Sequence, residues 1–310
     1  MWVPRGPPAR LFHAGTGFLL EVLVSPWHTH DMAEVATLHA ALRPGDVLVG
    51  DRAFCSFAHL ALLRQQGLHA VFRVHQRQIV DFTPARPHTV LKASATQKGL
   101  PRSRWLCQLG GTDQLVEWVK PVRPPVSPPA WLTPAVFAAL PAVLCVRELR
   151  YRVARTGFRT QMVTLVTTLL AVDWYPADAL AALYGMRWQV ETNLRHLKQT
   201  MGLDVLHCQR LAGVLKELTV FALVYNLVRV VMLEAAQRQG VALERISFID
   251  ALRWLCTARP GEPLPPLVVN PDRPGRVEPR AVKRRPKPYP LLTKPRREAR
   301  KALIQQSVGA

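Results

Sequence analysis

The sequence predicts an α/β fold in which a mixed sheet is covered by helices, interrupted by a β-rich stretch and followed by an extended basic tail. Three observations lead there. Short β-rich runs alternate with helical ones over residues 1–75, prolines and tryptophans then displace helical periodicity across 76–160, and helical sequence returns from 161 to about 240. Over 241–310 one more helix gives way to Lys, Arg and Pro. With 310 residues, 49% of them hydrophobic and 20% charged, the chain has material for a sizeable core.

Taken in order, Arg10 to Ala14 and Phe18 to Val24 flank Gly15-Thr16-Gly17 and read as a hairpin. Asp31 followed by Glu34 has the spacing of a capping box opening a helix that stops before Pro44-Gly45. Val47-Leu48-Val49 is a short apolar run between turn signals, as expected of a buried central strand. Ser56 caps an amphipathic segment through Leu60 and Leu63 to Gly67, and Ala70 to Val74 is strand again. The β-rich stretch carries Trp105, Trp118 and Trp131, each read as a packing residue, and ends in strands at Val143 to Val153 and Val163 to Leu169. Pro176 opens helical sequence to about Met201, and Leu211 to Gln237 forms a second long helix.

Composition limits the functional classes. A formal charge of +20 points to a polyanionic partner, nucleic acid first. From Arg259 onward thirteen Lys/Arg face four acids, so the excess concentrates in a tail with little capacity for a core. The five cysteines are widely spaced and form no CxxC pair, which argues against a zinc ribbon or a disulfide framework and fits a reducing cytoplasm. The most apolar helical run, 11 residues between Glu217 and Arg229, is short of the ~20 a membrane span needs and reads as a core helix. No apolar leader precedes the hairpin.

The chemistry-bearing residues fall on one helix. At ~100° per residue, Tyr184, Arg187 and Lys198 lie within about 40° of Glu191, and Leu183, Met186, Val190, Leu194, Leu197 and Met201 form a separate apolar stripe. Spacing alone also fits a solvated face with an ordinary Arg187–Glu191 pair. Asp51 adds weight because it emerges directly from the apolar strand run, where a carboxylate is costly unless it sits at a strand end or binds a cation, although a turn or cap role fits it too. A strand-end Asp and a helix-face Glu in a basic protein have the chemistry of phosphoryl transfer, in which carboxylates hold two Mg²⁺ ions ~3.5–4 Å apart.

Tyr184-Gly185-Met186-Arg187-Trp188-Gln189-Val190-Glu191, continuing to Lys198, resembles the Y-(2)-R-(3)-E-(6)-K signature of DDE transposases of bacterial insertion sequences, family four. Val49-Gly50-Asp51-Arg52-Ala53-Phe54 is similar to that family's second-aspartate motif, and Arg284-Arg285-Pro286-Lys287-Pro288-Tyr289-Pro290-Leu291 resembles its basic ending. The resemblance implies a ribonuclease H-like core in two parts, 1–75 and 161–240, around a β-rich insertion at 76–160, with 241–310 as C-terminal helix and tail. It implies metal-dependent DNA strand cleavage and transfer, with Asp51 and Glu191 as catalytic metal ligands and Tyr184, Arg187 and Lys198 on DNA phosphates. It further implies Mg²⁺, for which Mn²⁺ substitutes, double-stranded DNA at element ends and target, a homodimer in a synaptic complex, and a bacterial cytoplasmic, nucleoid-associated location without a membrane. The family's first Asp lies on a strand before the hairpin. Met1 to Ala9 has no acid, and Glu21, Asp31, Glu34 and Asp46 do not replace it. The sequence is therefore read as an N-terminally truncated copy with impaired or absent catalysis, or as a DNA-binding remnant that interferes with an intact transposase.

Overall fold

The computed structural model describes residues 10–23, 31–89, 99–153, 162–271 and 298. The hairpin forms as expected but is short, with β1 at Arg10–Phe12 and β2 at Leu19–Val22. Gly17, at φ +69°, closes the turn, and a Cβ there would come within 2.5 Å of the Arg229 guanidinium. The hairpin is fastened to α5 (Leu211–Gln239) by side chains: Tyr225 Oη donates to the Gly17 carbonyl at 2.9 Å and Arg229 Nε to the Thr16 carbonyl at 2.8 Å. Asn226 pairs with both the N–H and the carbonyl of Leu19, as a neighbouring strand would.

The segment beginning at Asp31 departs from the single capped helix the sequence suggested. A 3₁₀ turn at Asp31–Ala33, a four-residue α1 at Val35–Leu38 and a second 3₁₀ turn at His39–Ala41 replace it, and Glu34 makes no side-chain cap bond. Its residues are committed to tertiary packing. Val35 and Leu38 bury against Leu11, and His39 bonds Gln66 and His59.

A six-stranded mixed sheet dominates the molecule. Its strands are β3 (Val47–Gly50), β4 (His69–Arg73), β5 (Arg104–Gly110), β6 (Asp113–Val119), β7 (Val143–Arg152) and β8 (Met162–Thr167), in the order β3-β4-β8-β7-β6-β5. Only β3 and β4 run parallel; the other pairs are antiparallel. The strands between residues 104 and 152 thus extend the sheet that contains β3 and β4. Among the described residues β3 is an edge strand, not the central one its apolar sequence suggested. Gly50 is required there, since a Cβ would meet the Phe72 ring at 2.9 Å.

Strand periodicity sorts the core onto two faces. Ala70, Phe72, Val146 and Val166 point toward α2 (Phe57–Gln65) and α3 (Pro134–Ala139), while Val71, Leu149, Val163 and Leu165 point toward α4 (Ala177–Arg195). Each fully buried aliphatic side chain in these layers contributes roughly 1.5–3 kcal/mol. Ser56 caps α2 as expected, its Oγ accepting from His59 N–H at 3.2 Å. Trp118 packs in the first layer. Polar groups buried on β7 are paired: Arg147, fully buried, forks onto Asp113, and Glu148 accepts from Trp118 Nε1 at 2.8 Å and Gln114 Nε2 at 2.9 Å.

A second core joins the hairpin, α5 and α6 (Phe248–Thr257) around Tyr225, Val228, Met232 and Phe248. By length and composition alone α5 could cross a membrane, with a mean hydropathy of 1.7 over its most apolar window. Its buried face and its attachment to the hairpin make it the packed helix that the sequence indicated. The basic run at 283–287 and the motif at 284–291 lie outside the described residues.

Candidate functional site at the carboxyl end of β3

Asp51 follows the last residue of β3 and opens a 3₁₀ turn at Arg52–Phe54, its Oδ1 accepting from the Arg52 N–H at 2.7 Å. It is therefore a strand-end carboxylate with one oxygen held by the backbone. That arrangement fixes the side chain, and Oδ2 has no hydrogen-bond partner among the described residues.

Helix α4 crosses the same end of the sheet, but its phase differs from the expectation. Tyr184 is only 4% exposed and belongs to the core with Val71, Leu165 and Leu180. Leu183 packs half-buried against the same core, while Met186 and Val190 overhang a cavity and are half-buried. The cause is positional: beyond β3 no strand in the described residues lies beneath them. Burial pushes the Tyr184 phenol above its ordinary value. The Arg187 guanidinium opposes that rise and the Asp51 carboxylate adds to it, so the phenol lies within the field of both.

Arg187 links the parts. Its guanidinium carbon lies 5.7 Å from the Tyr184 ring centre and 5.0 Å from that of Trp188, and its Nη2 is 3.7 Å from Glu191 Oε1. Its Nε is buried without an acceptor among the described residues. Glu191 is 57% exposed at the side chain, so the pair with Arg187 is loose and solvated. Trp188, beside Arg187, is 44% exposed.

Lys198 lies beyond α4, in a π-helical segment, His196–Thr200, closed by the Met201 N–H on the His196 carbonyl at 2.9 Å. The segment is anchored by His196, whose ring stacks on Phe248 at 4.1 Å and whose pKa burial lowers to about 4. Asp51, Tyr184, Arg187 and Glu191 thus form a chain of neighbours.

Sequence reasoning missed a basic pocket. Arg52, Arg73, His75 and Arg150 line a recess of about 180 Å³ at the carboxyl ends of β3 and β4. Arg52 is held by Gln76 at 3.0 Å and Arg150 by Thr164 at 2.9 Å, and neither forms an ion pair among the described residues. Arg52 adjoins Asp51 and Arg73 ends β4, so strand-end position was the available signal.

The fold is thus a mixed sheet flanked by helices, with an acid after β3 and a cluster of arginines in the neighbouring recess. The transposase DDE domain family matches residues 10–227, and the chain belongs to that family. It is similar to the transposase InsG for insertion sequence element IS4 of Escherichia coli (strain K12), 31% identical over 149 residues, covering 42% of this chain and 34% of that protein. The chain thus spans about a third of the length of that curated relative. Among solved structures, the piggyBac transposase synaptic complex with hairpin DNA covers 82% of this chain and 47% of its own at 15% identity. Its TM-score of 0.39 marks a loose likeness.

Among the described residues no three His, Cys, Asp or Glu side chains gather into a metal-holding group. Asp51 and Glu191 supply hard carboxylate oxygens, a donor type that fits Mg²⁺ or Mn²⁺ rather than a softer metal.

Proposed function

We propose that this chain is the DNA-handling core of an insertion-sequence transposase in which Asp51 and Glu191 hold a divalent cation. DDE transposases generally use such ions. When bound, the ion supplies activation of the attacking oxygen, from water or a 3′-hydroxyl, and charge stabilisation of the leaving one. The residues of the chain do the rest. Arg187 holds a phosphate oxygen and positions Glu191 through Nη2; Tyr184, wedged beneath, fixes Arg187 over the strand ends. Arg52, Arg73 and Arg150 hold neighbouring phosphates, and Lys198 and the basic tail extend the contact along the duplex. The single observation carrying this reading is Arg187, which pairs with Glu191 and shares with Asp51 an influence on the Tyr184 phenol.

In this reading the sheet is ribonuclease H-like, 1–75 and 161–240 are its two parts, 76–160 is the insertion, and 241–310 forms a helix and an extended basic tail. The chain works on double-stranded transposon ends and target as a homodimer in the bacterial cytoplasm. Two carboxylates bind metal more weakly than three, so strand cleavage and transfer by the chain alone stay at background. An assay on transposon-end DNA with Mg²⁺ tests this: turnover that Asp51→Ala abolishes overturns the inactivity and leaves the metal site standing.

A second reading, a non-catalytic DNA-binding remnant that joins and poisons an intact transposase, is favoured by the lack of a third carboxylate, Cys or His near the pair among the described residues. Isothermal titration with Mg²⁺ separates the two. Uptake that falls in Glu191→Gln supports the metal site, and equal uptake by both proteins supports the remnant.

A further inference from the structure

An apolar stripe runs along the outer side of α5. Val220, Leu223, Leu227 and Val230 are each 44–58% exposed, and at ~100° per residue they fall within about 80° of arc. Tyr225, opposite the middle of that arc, is wholly buried and bonds the Gly17 carbonyl, so the stripe looks away from the core. The inner face, with Arg229 bonded to the Thr16 carbonyl, ties the helix to the hairpin and keeps it from spanning a membrane. A solvent-facing helix side is ordinarily polar, and a contiguous apolar one marks a contact surface.

The stripe is symmetric about Tyr225. Leu223 and Leu227 stand two residues to either side of it, Val220 and Val230 five, and Lys216 and Glu234 nine, these last two on the centre line of the arc. Turned end for end, the pattern matches apolar with apolar and cation with anion. Two copies of α5 laid antiparallel about a two-fold axis level with Tyr225 would set Leu223 against the partner's Leu227 and Val220 against the partner's Val230. Lys216 would meet the partner's Glu234 at each end of a contact about 27 Å long. Parallel pairing sets like charges together instead, so charge selects the antiparallel register. Both ends are available. Lys216 is exposed and has no ion pair among the described residues, and half-exposed Glu234 is held from its own helix by Arg238 at 2.7 Å.

We propose that the outer face of α5 is a homodimer interface, covered by α5 of a second copy of this chain in an antiparallel, two-fold symmetric register. The pairing stands on α5 alone and needs neither DNA nor metal, so its failure leaves the reading of Asp51 and Glu191 untouched.

The test is sedimentation equilibrium of the full chain, freed of nucleic acid, at moderate salt. Reversible monomer–dimer association is expected at about 1–100 µM, the range for so small a contact. Leu227→Glu, at an exposed position, is expected to leave circular dichroism and melting temperature unchanged and to weaken association at least about tenfold. Lys216→Glu and Glu234→Lys are each expected to weaken it about three- to tenfold by opposing like charges, and the chain carrying both to recover to within about twofold of the unsubstituted protein. A chain that stays monomeric throughout that range overturns the proposal. So does a dimer that Leu227→Glu leaves intact, and so does a double charge variant that fails to recover, because recovery belongs to the antiparallel register alone. A monomer that co-sediments with phosphatidylcholine vesicles, and loses that property in Leu227→Glu, overturns it in favour of a lipid surface. If Leu227→Glu does not fold, the charge variants still decide.

Discussion

The middle of the large sheet and its β3 end are built from similar strands but treat polar groups in opposite ways. On β7, Arg147 and Glu148 are wholly buried, and each is matched to a partner on β6. At the β3 end, Asp51 keeps one oxygen without a described partner, Arg187 has an unpartnered Nε, and Glu191 stands largely in solvent. The contrast teaches that charge alone does not mark a site in a basic protein. Charges left exposed or incompletely paired at strand ends are the better candidates, because the buried charges on β7 are each held by a partner.

The largest effect expected from this contrast is on stability. Arg147→Ala leaves Asp113 uncompensated against the sheet and should cost about 3–5 kcal/mol in urea unfolding. A loss below ~1 kcal/mol would mean that the pairing on β7 is not structural.

Next comes a pH effect from the histidines between α1 and α2. His39 and His59 stack with their Nε2 atoms 3.1 Å apart, and burial lowers both pKa values, that of His59 to about 4. The unfolded chain protonates His59 from about pH 6.5, whereas the folded chain resists until about pH 4. Stability contributed by neutral His59 is therefore complete above pH 6.5 and is lost as pH falls from 6.5 toward 4, by roughly 3 kcal/mol. Thermal melts across that window should show the decline, and His59→Gln should reduce it, leaving the part due to His196, which burial lowers to about 4 as well.

The cap at Ser56 is intermediate: Ser56→Ala should cost about 1 kcal/mol through loss of the bond to His59 N–H. The smallest effect sharpens the comparison most. Glu191→Gln should alter unfolding free energy by less than about 0.5 kcal/mol, since its ion pair is exposed, while reducing Mg²⁺ uptake. A large destabilisation would place Glu191 with Arg147 as a structural residue.

Elements with local signals were legible in the sequence. The Gly15-Thr16-Gly17 turn, the Ser56 cap, the opening of α4 at Pro176 and the extent of α5 all follow from capping and periodicity. What depends on distant partners was not. Apolar β3 looked central because its faces are covered, but edge or centre is decided by what lies beside a strand, and the residues of a strand encode only its faces. Tyr184 looked like a cleft residue at helical spacing, yet the sheet beneath α4 takes it into the core. The change of winding at His196, where stacking on Phe248 from a remote helix holds the ring, had no local signal either. Arg73 and Arg150 lie 77 positions apart and share a recess only after β8 brings their strands together.

The strand β8 has a consequence for biosynthesis. It lies between β4 and β7 yet is the last of the six to leave the ribosome, and Thr167 supplies the hydroxyl that donates to the Ala70 carbonyl at 2.7 Å. Until about residue 167 emerges, both neighbours expose long apolar borders to the cytosol or to another nascent chain. Ribosomes stalled short of that codon should yield aggregates, and those stalled well beyond it a protease-resistant sheet.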